Sequence, residues 1–154
     1  MVQLKETRDI ELLAALNEEV QQLHHRMHPH IFKSFDHKAI AAALRLFFED
    51  RSCRAFVAWA GDKAAGYIIT FVKQVKENAF HYSRCYVYVD QVAVLEQFQK
   101  QGVGELLLLK AEEIAKELSI DTLELDHWTS NIVAAAYFRK QGYELRKERL
   151  GRQL

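Results

Sequence analysis

The stretch from residue 84 to residue 128 constrains the fold most, because a long apolar run, a glycine-bearing turn, a helical pattern and a second apolar run follow one another there without a break. RCYVYVDQVAVL (84 to 95) is rich in valine and tyrosine, side chains that suit a pleated, half-buried surface, and its length predicts a central strand. Gln99-Lys100-Gln101-Gly102-Val103-Gly104 comes next, and its glycines let the backbone turn tightly and leave N–H groups bare. From Val103 to Leu118, the residues Leu107, Ala111, Ile114 and Leu118 share one helical face. TLELDHW (122 to 128) then places Leu123, Leu125 and His127 on one side of a strand. Strand, turn, helix and strand in this order predict an α/β (α+β) fold, a mixed sheet with helices on both faces.

The flanks extend that plan. Residues 1 to 6 predict a short edge strand, and Ile10, Leu13, Leu16, Val20 and Leu23 predict one helix that stops by Pro29. Asp36 caps a second helix carrying Ile40, Ala43, Leu44, Phe47 and Phe48. CRAFVAWA (53 to 60) and AAGYIITFV (64 to 72) predict a hairpin turning at Gly61 and Asp62, with residues 73 to 82 as loop. A last helix starts from Thr129 or Ser130 as cap, runs to Gln141, closes on Gly142 and leads into a final strand from Tyr143. No repeat, linker or composition shift interrupts the 154 residues, so a single domain, 1–154, is expected at a length close to the common ~100 to 150.

Composition narrows the function classes. Apolar residues at 49% and charged residues at 27% exclude a disordered or fibrous chain. Lys plus Arg equals Asp plus Glu at 21 each, so no global field draws the chain to nucleic acid or an anionic membrane. No apolar stretch approaches the ~18 residues of a membrane span, and the N-terminus lacks a leader pattern, so a cytoplasmic protein is expected. Cys53 and Cys85 sit in apolar runs and predict buried thiols. His24 and His28 have the i, i+4 spacing of a metal pair, but no carboxylate pair completes a site, and no metal is expected.

The glycine segment suits a diphosphate, yet it lacks the Lys-Ser/Thr pair of a P-loop and the third glycine of a dinucleotide fingerprint. Taken alone, it is equally a tight connection into a helix. Val92-Ala93-Val94, seven residues, then Gly102-Val103-Gly104 and a leucine-rich helix resembles the motif of the GCN5-related N-acetyltransferase (GNAT) family. Asn131, Ala134, Tyr137, Phe138, Gly142 and Tyr143 are similar to that family's second motif, and the element order matches over nearly the whole chain. The resemblance implies a mainly antiparallel sheet splayed at an acetyl-CoA site. Main-chain N–H groups of Gln99, Lys100, Gln101, Gly102, Val103 and Gly104 would hold the pyrophosphate, and Val92, Ala93 and Val94 would pair with the pantetheine arm. Asn131 and Phe138 would also touch the cofactor. The family's frequent acid, a tyrosine four residues before the glycine, is here Phe138, so the usual acid is absent, and neighbouring Tyr137, pointing ~100° away, is the candidate acid only if the helix is rotated relative to the family's.

The reaction so implied is attack of a neutral amine on a thioester, with CoA as product. An amine of pKa ~10.4 must first lose a proton, so a base is required. Asp90, read as alternating with Val92 and Val94 on one strand face, is the first candidate, and Asp126 and His127 are alternates. The acceptor is expected to be a small-molecule or peptide amine touching His28, His30, Phe32 and His127, without nucleic acid or membrane, and with a homodimer left open. The competing expectation is a non-catalytic acyl-CoA-binding or sensing domain that kept the groove and lost the acid.

Overall fold

A computed structural model describes all residues, 1–154. The elements are β1 (Val2–Thr7), α1 (Ile10–Leu16), α2 (Glu18–Met27), α3 (His37–Phe47), β2 (Arg54–Ala60), β3 (Lys63–Val75), β4 (Arg84–Val94), α4 (Val103–Glu117), β5 (Leu123–Leu125) and α5 (Ile132–Lys140). A single 3-10 turn, Glu96–Phe98, joins β4 to the glycine segment. The sheet runs β1-β2-β3-β4-β5, antiparallel up to β4 and parallel between β4 and β5. This is the mixed, mainly antiparallel sheet expected. No helix is long and apolar enough to cross a membrane.

Alternation along the strands divides the interior in two. Ala55, Val57, Tyr67, Ile69 and Phe71 face α1 and α3, meeting Leu13, Leu16, Ala41 and Leu44. Phe56, Ala58, Ile68, Val87 and Val89 face α4, meeting Val103, Leu107, Ala111 and Ile114. Helices therefore cover both faces. Cys53 is buried in the first core, and burial pushes its thiol up to about 11.

Four expectations are corrected. The first helix breaks at Asn17, whose N–H reaches both Leu13 O and Ala14 O while its side chain turns inward to Tyr67. β3 runs on to Val75, which shortens the expected loop. The strand expected over 122 to 128 pairs only through Leu123–Leu125, because β4 bulges beside its end. The strand expected from Tyr143 does not form, since a three-residue outer strand offers few rungs to a tail that is charged and exposed. Asp36 does cap α3, accepting from Ala39 N at 3.0 Å, and α5 does close on a left-handed Gly142 at φ +88°.

The bulge shapes the site. Ile69 lies opposite Gln91 while Thr70 lies opposite Val89, so Asp90 is the extra residue and has no cross-strand partner. At the same place the β4–β5 pairing stops, its last rung being Val89 with Leu125. β4 continues past that point paired only with β3, so its edge on the β5 side is left open.

Candidate active site

β4 beyond the bulge presents an open backbone edge. Leu95 N donates to Ala65 O at 2.9 Å, and Ala93 O crowds Gly66 so closely that a Cβ there would sit 2.5 Å from it. Odd-numbered residues in this stretch thus bond toward β3, and the alternation of an antiparallel ladder turns the groups of Val92 and Val94 toward the side β5 has vacated. Gln99 Nε2 covers one of them, donating to Val94 O at 3.1 Å. The edge ends at the N-terminus of α4, where Leu106 N to Gly102 O at 3.1 Å is the first helical bond and no side chain caps the N–H groups before it. Lys100 (φ +59°) and Gly102 (φ +80°) both lie in the left-handed region, which for lysine costs about 1 kcal/mol and is typical of ligand-gripping turns. An extended polar chain ending in a diphosphate fits this combination of free strand edge and positive helix end.

Asn131 is the N-cap of α5 in place of Thr129 or Ser130, its Oδ1 accepting from Ala134 N at 3.1 Å. That oxygen is already committed. Its amide nitrogen makes no hydrogen bond within the chain and is free for a ligand.

The bulge also corrects the reading of Asp90. Val87 and Val89 face α4 before it and Val92 and Val94 after it, so Asp90 does not share their face. It lies with Tyr88 and Gln91 on the side of α1 and α3. Gln91 Oε1 accepts from Tyr67 Oη at 2.7 Å, and Asn17 Nδ2 donates to the same tyrosine at 3.1 Å, so the joint of α1 and α2 is tied to the bulge. Asp90 itself is exposed at its rim, yet partial burial of the carboxyl raises its pKa, against the pull of Lys73 and Gln91. Tyr88 Oη donates to Asp126 Oδ2 at 2.7 Å, and burial, followed by the two aspartates, raises the phenol. The arrangement is two carboxylates flanking one tyrosine where β4 and β5 part. Tyr88 was absent from the sequence reading, although its position two residues before Asp90 on a strand was a usable signal.

A second wall stands opposite. The His28 ring lies 4.5 Å from Trp128, Phe32 meets Trp128 edge-on at 5.5 Å, and His28 Nε2 contacts Ser130 Oγ at 2.7 Å. The structure thus brings His28 and Phe32 together, with Trp128 and Ser130 added. His30 is exposed and makes no side-chain hydrogen bond, and His127 turns its ring onto Phe138 at 6.1 Å, so neither joins the wall. Phe138 is almost fully buried among His127, Tyr137 and Tyr143.

Tyr137 points elsewhere. Its hydroxyl is buried without a partner, and a Cβ built on Gly104 would lie 2.7 Å from it. Gly104 therefore makes room for Tyr137, a different reason from the close approach of a diphosphate. Burial, then the nearby Glu105, raises the Tyr137 phenol.

The sequence pattern of the Acetyltransferase (GNAT) family matches residues 17–143. The uncharacterized N-acetyltransferase YvbK of Bacillus subtilis (strain 168) is 33% identical over 90 residues, 58% of this chain and 52% of that protein, so the chain spans about half the length of this curated relative. Among solved structures, a tetramutant of the BH1408 protein from Bacillus halodurans superposes with a TM-score of 0.89 at 19% identity, covering 100% of this chain and 99% of that one. The aminoglycoside N-acetyltransferase AAC(6')-Iy in complex with CoA superposes with a TM-score of 0.75 at 15% identity, covering 100% and 95%. A strand that parts from its parallel neighbour above an uncapped helix N-terminus, together with a sequence match over most of its length, places this chain in the GNAT acetyltransferase family, whose members use acetyl-CoA.

Proposed function

We propose that the chain transfers the acetyl group of acetyl-CoA to the primary amine of a small molecule or peptide. The observation that carries this reading is the coincidence at one point of the β4 bulge, the end of β5 pairing and the carboxylate of Asp90. Acetyl-CoA would supply the activated acetyl thioester. Backbone groups of Val92 and Val94 would align its arm, and the N–H groups of Val103, Gly104 and Glu105 would face its phosphates. Asp90 would take the ammonium proton, its raised pKa bringing base and amine closer in strength. Asp126, held by the Tyr88 hydroxyl, would add negative charge that draws the ammonium in.

Tyr137 does not suit the role of acid, because its hydroxyl is packed against α4. A thiol of pKa ~8.5 leaves readily enough as thiolate that no acid is needed. The test measures acetyl-CoA binding by thermal shift and CoA release with a panel of amines. A protein saturated to about 100 times its Kd gains ~2.7 kcal/mol, or roughly 5 to 10 °C. Binding without release for any amine would favour the non-catalytic sensing role, and absence of binding would sink both readings.

A further inference from the structure

The wall of His28, Phe32 and Trp128 is more organised than amine capture requires. Resting on the acetyl-transfer reading, we propose that the acceptor is a monoamine whose skeleton carries an aromatic ring, and that this ring lies on Trp128 and Phe32. His24 supports Phe32 from beneath at 4.8 Å, His25 Nδ1 bonds Phe32 O at 2.8 Å, and Ser130 fixes His28, so the rings are held in place. They are also open. Trp128 is 39% exposed, and Ile31 beside Phe32 is 60% exposed. Ile132 and Val133, which begin α5 just past Ser130, are 74% and 76% exposed. A fixed aromatic shelf with an apolar rim and free area is pre-organised for a flat apolar body.

Charge selects the same class. Asp126 precedes Trp128 by two residues, at most about 7 Å of backbone, and Tyr88 ties Asp126 to the strand that bears Asp90, so the carboxylates lie next to the shelf. α2 links the two groups, running from Asn17, which bonds Gln91 beside the bulge, to His28 on the shelf. Asp90 and Asp126, which both act on Tyr88, would receive one ammonium between them. The shelf contacts consist of rings and imidazoles with no carboxylate among them, so further ammonium groups of a polycation meet no counter-charge there.

The experiment measures binding of 2-phenylethylamine, n-butylamine, spermidine and kanamycin to the CoA-loaded protein by calorimetry, with CoA release from acetyl-CoA followed on the same panel. The expected result is a preference for 2-phenylethylamine of about tenfold or more over the other three. Trp128→Ala should abolish that preference with CoA affinity unchanged, and Trp128→Phe should retain most of it. Phe32→Leu, which should weaken it as well, serves if Trp128→Ala does not fold. Equal or tighter binding of spermidine or kanamycin, or a preference that survives Trp128→Ala, overturns the proposal. An aromatic preference in binding without CoA release from any amine overturns acetyl transfer and leaves the shelf standing. Release that is fastest with a polycation does the reverse.

Discussion

Gly104→Ala separates two reasons for a glycine at the start of α4. The new Cβ would lie 2.7 Å from Tyr137 Oη and 3.1 Å from its Cζ, too close for either atom. The hydroxyl has no hydrogen bond to lose, so the ring can shift, and the penalty is one of packing, about 1 to 2 kcal/mol. Alanine recovers up to ~1 kcal/mol of helix propensity, less in a first turn. The net loss is about 1 kcal/mol, or ~2 to 4 °C in Tm for a chain of this size. Tyr137→Phe removes the nearer atom, so Gly104→Ala should be neutral or mildly stabilising in that background, a coupling of about 1 kcal/mol. Urea melts of wild type, both single variants and the double variant measure it, provided the slopes agree. Equal destabilisation in both backgrounds would refute the contact. If Gly104→Ala also abolished acetyl-CoA binding and Tyr137→Phe failed to restore it, the Cβ would lie in the path of the ligand.

Four further outcomes follow from the structure. Gly66→Ala should be the costlier glycine change, at or above ~3 kcal/mol, because its Cβ would meet the Ala93 carbonyl at 2.5 Å and backbone cannot step aside as a ring can; an equal loss at both glycines in thermal melts would contradict this. Asp90→Asn should slow turnover most near neutral pH and less as the free amine fraction rises, as a pH–rate profile would record. The same variant tests the raised pKa through stability: both proteins are uncharged there below pH ~3.9, and as pH rises through the folded pKa the wild type loses stability relative to the asparagine form, so a pH-independent Tm difference would count against it. Tyr137→Phe should leave turnover within several-fold, whereas a loss of ~10² or more would make that hydroxyl the acid.

Much of the fold was legible because its signals are local. The continuous apolar runs of β2 and β3, the Asp36 cap, the left-handed Gly142 and the glycine turn into α4 each depend on neighbours in sequence. The bulge at Asp90 was only half legible: the valines of VYVDQVAV change parity between 89 and 92, which allows an insertion at Asp90 or Gln91, and only pairing with β3 reveals which residue is surplus. That one insertion turned Val92 and Val94 onto the face of Val87 and Val89 and left Asp90 on the opposite one with Tyr88 and Gln91. Asn17 was hidden for a similar reason: an apolar period that continues through residue 23 gives no hint that the side chain at 17 turns toward Tyr67. The aromatic wall joins residues about 100 apart, and nothing in HHRMHPH by itself points to Trp128.

The shortness of β5 also bears on how the molecule opens. β2, β3 and β4 follow one another through short connections and pair along most of their length, whereas β5 arrives only after α4 and holds the sheet by three rungs. Asp126, Trp128, Ser130 and Asn131 all hang from that strand. Amides from Leu123 to Lys140 should therefore exchange with solvent hydrogen through a sub-global opening well below the free energy of complete unfolding, while those of the β2–β4 meander exchange only with it. A ligand that spans β4 and α5 staples the loose segment to the firm one, so its slow release and the slowed exchange of that segment are one event seen by two clocks.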